Sequence, residues 1–319
     1  MSINPNLQVY TEKDNLDNFF NKNKKNIFIN AVSGVAGIPF SLKIVNFKKV
    51  QFLLANKETI VAFGKKFLQT VNKNKVNLIS IDSEHNAILQ ATETNNAIEK
   101  ILLTASGGKF NNFTRQELKN TDIKLENISH PNWDMGIDIT IDSNTMINKC
   151  FEVIEAYHLF NTKNIEVLIH PQSIIHSGVM FVDGTIKFIA STPDMKSPIN
   201  YGLFNKKRFY LKNHKILNFD SNLKLDLQKA DINKIFPLKW AYSSFEKNNS
   251  FAVTILLANE MLRKLFKANK VKFYQIVDVI DEVLIMDKNI VIKNEAELLN
   301  LKNDIKDNIA KILAKNRYQ

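Results

Sequence analysis

Asp82 and Glu84 stand two residues apart in IDSEHNAILQ (81–90), with Ser83 between them, directly after the apolar run VNLISI (76–81). Read as the end of a strand, side-chain alternation sends both carboxylates to one face, where they repel unless a cation or a proton lies between them. Two hard oxygen donors at the carboxyl end of a parallel strand suit Mg²⁺ or Mn²⁺, because ligand sites in α/β folds gather there. Solvated or salt-bridged acids are the plain alternative, and a third ligand decides between the two. Glu152 is the best candidate, on a helix expected to open at Asp142 or Ser143.

On that helix Asn148 and Glu152 are spaced i,i+4 and Lys149 and Glu152 i,i+3, which makes one polar face opposite Met146, Val153 and Ile154. The spacing serves equally a solvated Lys–Glu pair or a site where Ser143, Asn148 and Lys149, near a helix N-terminus, hold a phosphate or a polyol. In TASGG (104–108) a glycine turn frees backbone N–H groups to converge on an anion and Ser106 adds a hydroxyl; alone this is a weak signal against a plain turn. HPNWDMG (130–136) gathers His130, Trp133 and Met135 in a turn-like stretch, the composition of an aromatic lid over a ligand. His170 and His176 read as structural histidines with satisfied hydrogen bonds.

These residues need a scaffold. IFINAVS (27–33) reads as a buried strand, GVAGIPFSLKIV (34–45) as a glycine turn feeding a helix, and VQFLLANK (50–57) as a second strand. ETIVAFGKKFLQTVNK (58–73) is a helix by its apolar spacing and VNLISI a third strand, so the order is that of a parallel sheet with crossover helices. Beyond residue 100 the pattern turns α+β. KILLTASGG (100–108) is a strand entering a turn, DSNTMINKCFEVIEAYHLF (142–160) a helix, and VLIHPQSIIHSGVMFVDGTIKFIA (167–190) strands around a DGT hairpin. From about residue 235 to 319 four runs keep a helical period almost without glycine or proline, which predicts a C-terminal helical bundle. The first 25 residues are polar and read as a lead-in.

A chain of 319 residues with 45% hydrophobic content has enough core for two or three domains. The net charge of +11 comes from lysines scattered among asparagines, without an arginine-rich stripe or interleaved aromatics, and this argues against a nucleic-acid partner. Apolar runs such as FAVTILLA (251–258) fall well short of the roughly 20 residues that span a bilayer. The single cysteine, Cys150, excludes an internal disulfide framework, and the opening residues lack a signal-peptide layout, so a cytoplasmic location is expected.

Taken in order, LLANKE (53–58), IDSEHNAILQ, LTASGGKF (103–110), HPNWDMG, IDSNTMINKCFEVIEAYHLF (141–160), VLIHPQSIIHS (167–177) and TPDMKSPI (192–199) closely resemble the 1-deoxy-D-xylulose 5-phosphate reductoisomerase family. The resemblance runs from about Ala31 to the end, more loosely over the C-terminal helices. It implies rearrangement of a keto-sugar phosphate and its reduction by NADPH to 2-C-methyl-D-erythritol 4-phosphate, in non-mevalonate isoprenoid precursor synthesis, by a homodimer. It also implies residue roles. Asp82, Glu84 and Glu152 become the divalent metal ligands and, with Lys57, the catalytic set; Ser83 and Lys57 contact substrate oxygens. Ser106, His130, Ser143, Asn148 and Lys149 hold the phosphate and neighbouring hydroxyls, Trp133 and Met135 lie in a closing flap, and Asn56, Glu58 and Gly136 touch the nicotinamide cofactor.

The sequence departs from the family in several places. Members begin with a strand and a G-x-T-G-S-I-G turn that cradles the NADPH pyrophosphate. No glycine precedes Gly34 here, so the sequence is expected to start late, lacking about two βαβ steps and leaving an apolar sheet edge exposed. Ile137-Asp138 replaces a basic pair, Lys109 a proline and Cys150 a glycine. The expected organisation is a partial parallel-sheet NADPH-binding domain over 1–80, an α+β metal and substrate domain over 81–217, a linker over 218–234 and the helical bundle over 235–319. A metal-dependent phosphosugar isomerase or binding module without hydride transfer, and a non-catalytic relic, stay open beside the reductoisomerase reading.

Overall fold

The computed structural model describes residues 27–92, 96–110, 113–129, 136–220 and 222–316. Strand β1 (Ile27–Asn30) alternates, with Phe28 and Asn30 inward and Ile27 and Ile29 outward. Gly34, at φ 73°, opens a short 3-10 turn over Val35–Gly37 that leads into α1 (Ile38–Ile44). A Cβ at Gly37 would lie 2.5 Å from the Val32 carbonyl oxygen, so only glycine lets the chain fold back here. Pro39 stands in the first turn of α1, where its missing N–H costs nothing.

Strand β2 (Gln51–Leu54) ends at Asn56, which caps α2 (Lys57–Lys73) by accepting the Thr59 N–H at 3.1 Å. Strand β3 (Asn77–Ser80) follows, and the order β1-β2-β3 is parallel throughout, as the alternation of strands and helices predicts. The strand stops one residue before Ile81. Asp82 is instead the N-cap residue of α3 (Ser83–Ala91) and Glu84 lies in its first turn, so strand alternation does not bring the two acids together. Their proximity comes from a helix start, where consecutive side chains fan out over the strand ends.

Strand β4 (Ile98–Ala105) opens a second, five-stranded sheet. The short α4 (Arg115–Asn120) carries a complete Thr114–Glu117 capping box. The single helix expected over 142–160 is two: α5 (Ile137–Asn144) and α6 (Ile147–Phe160), with a corner at Met146, φ 62°. Side chains at the end of α5 compete for its last carbonyls: Asn144 Nδ2 donates to Thr140 O at 2.9 Å and Thr145 Oγ1 to Ile141 O at 3.1 Å. With those groups satisfied the chain turns at Met146, a left-handed position that for a non-glycine residue costs on the order of 1 kcal/mol or more.

Strands β5 (Ile165–Ile169), β6 (Ile175–Phe181) and β7 (Ile186–Ala190) join β4, with β5 parallel to it and β6 antiparallel. The β6–β7 hairpin turns through Gly184 at φ 85°, the turn foreseen at DGT. Helix α7 (Lys196–Leu203) and the two-residue strand β8 (Gln228–Lys229), on the β5 edge, precede the bundle. The bundle comprises α8 (Phe236–Ser244), α9 (Asn249–Lys267), α10 (Phe273–Ile285) and α11 (Glu295–Asn316). Helix α9 is the spine, packed against α2, α10 and α11, while α6 packs on α2 and α8. One continuous apolar core therefore joins the parallel sheet, the second sheet and the bundle. Gly64 of α2 allows a close approach: a Cβ there would meet the His158 ring of α6 at 2.4 Å.

Candidate active site

The carboxyl ends of β1, β2, β3 and β4 open onto one cavity of about 800 Å³. Its walls include Lys57 and Glu58 from α2, Asp82, Ser83 and Glu84 at the start of α3, and Ser106 after β4. Gly136 and Ser143, at either end of α5, and Asn148, Lys149 and Glu152 of α6 complete the set. Asn56 stands behind the wall, 2% exposed. Its Nδ2 donates to the carbonyls of Val32 and Gly34 and to Glu58 Oε2, so it shapes the glycine turn from within. His130, Trp133 and Met135 lie outside the described residues.

Asp82, Glu84 and Glu152 each offer an oxygen within 4.8 Å of the others. Two ammonium groups are threaded among them. Lys57 Nζ lies 2.6 Å from Asp82 Oδ2, 2.9 Å from Glu152 Oε1 and 3.0 Å from Asn148 Oδ1. Lys149 Nζ lies 3.0 Å from Glu84 Oε1, pairs with the other Glu152 oxygen and donates to the Thr104 carbonyl. Three carboxylates converge beside the two lysines, and an all-oxygen donor set of this kind fits a hard divalent cation.

The electrostatics follow from that crowding. Burial by itself would lower the Lys57 pKa, but Asp82, Glu152, Glu155 and Glu84 together hold it well above its usual value. Asp82 is pushed up by burial and pulled down further by Lys57 and His85, ending well below the normal carboxylate range. Glu84 rises to about 7, because burial and the neighbouring Glu152 charge outweigh Lys149. Behind Asp82 stand His85 and Glu155, both buried; burial carries Glu155 to about 7, while the carboxylates of Glu155 and Asp82 lift His85 to about 9 against its own burial.

Ser143 lies in the last turn of α5, not near the N-terminus of the Glu152 helix, whose first turn holds Asn148 and Lys149. The turn after β4 nevertheless reaches Ser143. Gly107 and Gly108 adopt φ 87° and 70°, a Cβ at Gly108 would meet Asn144 Cα at 2.9 Å, and the Lys109 N–H donates to Asn144 Oδ1 at 2.9 Å. Ser106 and Ser143 thus face the cavity from two segments locked together. His170 accepts the Ile174 and Ile175 N–H groups on Nε2 and donates from Nδ1 to the Asp226 carbonyl, and His176 bonds Ser191 Oγ; both histidines also line the cavity.

The bundle contributes a wall that sequence reasoning did not assign, made by Glu260, Arg263 and Lys264 of α9. Arg263 pairs with the buried Asp142 of α5 and donates to the Asp138 carbonyl, Asn259 Nδ2 donates to Asp142 Oδ1 at 2.9 Å, and Lys267 holds Asp138 at 2.6 Å. Burial raises Asp142 to about 6 despite Arg263. On the β1 side, Glu58 Oε1 accepts the Gly34 N–H at 2.9 Å. His85 and Glu155 were also unassigned, although their i,i+3 spacing from Asp82 and Glu152 is visible in the sequence.

Three family models match the chain. The model described as 1-deoxy-D-xylulose 5-phosphate reductoisomerase covers residues 2–64, and two describing the C-terminal domains of that enzyme cover 78–160 and 190–310. The chain is 34% identical over 314 residues to the 1-deoxy-D-xylulose 5-phosphate reductoisomerase of Thermoanaerobacter sp. (strain X514), covering 97% of this chain and 81% of the relative. It is 40% identical over 301 residues to that of Lachnoclostridium phytofermentans, covering 92% and 76%. Among solved structures, a DOX-P reductoisomerase in complex with NADPH, fosmidomycin and magnesium superposes with a TM-score of 0.83 at 30% identity, covering 92% of this chain and 76% of that one. The Zymomonas mobilis enzyme in complex with NADPH gives 0.80 at 29% identity, covering 90% and 74%. On its motifs, its architecture and these likenesses, the chain belongs to the 1-deoxy-D-xylulose 5-phosphate reductoisomerase family.

Proposed function

We propose that this protein converts 1-deoxy-D-xylulose 5-phosphate to 2-C-methyl-D-erythritol 4-phosphate with NADPH and a divalent cation, Mg²⁺ or Mn²⁺. The observation that carries the reading is the convergence of Asp82, Glu84 and Glu152 oxygens within 4.8 Å, in a cavity that also reaches the glycine turn after β1 and Ser106 after β4. When bound, the cation supplies Lewis-acid polarisation of substrate oxygens and NADPH supplies the hydride. The remaining tasks fall to the chain itself.

Lys57, fully charged and central to the acids, orients the substrate's oxygens with Ser83. Ser106, Ser143, Asn148 and Lys149 receive the phosphate and hydroxyl groups, from two segments that the Gly108 contact holds in fixed relation. The ends of β1 and β2 suit a nicotinamide group: ligands in such sheets lie outside the strand carboxyl ends, and the turn that opens at Gly34 lines the cavity there. Glu58 and Gly136 line that end of the cavity and Asn56 supports it. His130 joins the phosphate and hydroxyl contacts and Trp133 and Met135 form the lid in this reading, and the division into regions 1–80, 81–217, a linker over 218–234, and 235–319 goes with it.

We further propose a cytoplasmic homodimer. Its supports are the single, buried Cys150 and the segment 204–219, which leaves Tyr210, Ile216 and Phe219 largely exposed. Among the described residues no helix is long and apolar enough to cross a membrane. The test of the activity is substrate-dependent consumption of NADPH with Mn²⁺ present. Expected outcomes are turnover that a chelator stops and that Glu152→Gln lacks; absence of turnover under saturating NADPH and Mn²⁺ would reject the assignment.

A further inference from the structure

His85 touches both halves of the acidic cluster. Its Nε2 lies 2.9 Å from the backbone carbonyl of Glu152, which can only accept, so this nitrogen carries a hydrogen. Its Nδ1 faces Asp82 Oδ2 at 3.7 Å and Glu155 Oε2 at 3.5 Å. The ring is fully buried and Glu155 is 1% exposed; neither His85 Nδ1 nor Glu155 Oε2 has a hydrogen-bond partner among the described residues. The other Glu155 oxygen accepts Ser80 Oγ at 3.3 Å, at the end of β3. A single imidazole is therefore tied to the main chain of one acid, aimed at the side chain of another, and backed by a carboxylate that is itself anchored to the sheet.

We propose that His85, braced by Glu155, is a positioning residue that sets the separation of Asp82 and Glu152 and thereby the affinity of the cation site; the proposal rests on the cation-dependent reading above. Asp82 begins α3 and Glu152 lies on α6, and like charges on two separate elements drive those elements apart. A divalent ion requires its oxygens at a nearly fixed distance, roughly 2.0–2.6 Å, so slack between α3 and α6 translates into lost affinity. Outer partners that hold ligating carboxylates in this way are worth about 10- to 100-fold in metal affinity.

The same three groups form a second trio with oxygen and nitrogen atoms within 4.8 Å of one another. Direct ligation there is disfavoured by enclosure: Asp82, Glu84 and Glu152 line the cavity, whereas His85 and Glu155 stand behind its wall, 0% and 1% exposed.

The experiment is Mn²⁺ titration calorimetry of the full chain and its variants, with melting temperature recorded separately. An asparagine amide reproduces the Nδ1 position and a glutamine amide the Nε2 position. His85→Gln is expected to weaken Mn²⁺ binding about 10- to 100-fold, His85→Asn to recover part of that loss, and Glu155→Ala to weaken binding about tenfold. Equal Mn²⁺ affinity in the wild type and all three variants, whatever their melting temperatures, would overturn the positioning role and leave the proposed function standing. Two Mn²⁺ per chain, with one lost in Glu155→Ala, would overturn it in favour of ligation. No Mn²⁺ binding by the wild type would overturn both this inference and the cation-dependent function.

Discussion

Lys57 Nζ and Asp82 Oδ2 meet at 2.6 Å, one from the start of α2 and the other from the start of α3. On the proposed ligand set, an entering divalent ion shares that carboxylate with an ammonium that holds its proton well beyond the usual lysine range. Lys57→Met is therefore expected to leave the acids under-compensated and to lower the stability of the cation-free protein by roughly 3 kcal/mol. Scanning calorimetry with and without Mn²⁺ checks this: the ion should restore more stability to the variant than it adds to the wild type, while turnover is lost.

A steric test concerns Gly64 and His158. A methyl group on Gly64 would come within 2.4 Å of the imidazole, so Gly64→Ala should cost about 1–3 kcal/mol in denaturant unfolding. His158→Ala should recover much of that cost in the double variant, giving a coupling energy that isolates the contact between α2 and α6. Additive effects would place the strain elsewhere.

The same histidine makes a signed prediction about pH. Burial depresses its pKa from the usual 6.5 to about 4, so it is neutral in the fold and protonated in the unfolded chain between those values. The unfolded state then binds more protons, and the stability due to this group is complete above 6.5 and lost as pH falls toward 4. The difference in unfolding free energy between the wild type and His158→Gln should shrink across that window with a slope of about one proton. A pH-independent difference would contradict the assignment.

Arg263→Met removes the guanidinium from buried Asp142. Breaking such a pair costs about 3–5 kcal/mol when the stranded group stays charged. Because Asp142 takes up its proton near pH 6 even with Arg263 beside it, the penalty should be largest at pH 8 and smaller at pH 5. Adding Asp142→Asn should relieve part of the loss at pH 8 and little at pH 5. Chemical denaturation at the two pH values provides the measurement.

Much of this architecture is legible in the residues. The helical period of the last four runs, the DGT hairpin and the LLANKE and TASGG strand ends all depend on local chemistry, and local chemistry survives in the fold. The boundary after Ile81 was also readable. Asp-Ser-x-His, followed by AILQ at helical spacing, marks an N-cap, and extending the strand alternation beyond the apolar run overlooked it. The corner at Met146 was not readable, since no glycine or proline marks it and the segment beside it is tied to distant ones through Asn144, which bonds the Ser129 carbonyl and the Lys109 N–H. Arg263 and Lys264 reach the cavity only because α9 crosses α2, a relationship between distant segments that no spacing encodes.

The carboxylates sit on α3 and α6, which are separated in sequence by β4, α4 and α5 and become neighbours only when these two remote helices pack together. Contacts between such remote segments are made late in folding, after the loop-closure entropy has been met. An ion held by all three acids, as proposed, accordingly has little to bind in the transition state. In refolding and unfolding experiments Mn²⁺ should slow the unfolding arm and leave the folding arm nearly unchanged, so that the ligand cluster acts on the lifetime of the native protein more than on the speed of reaching it.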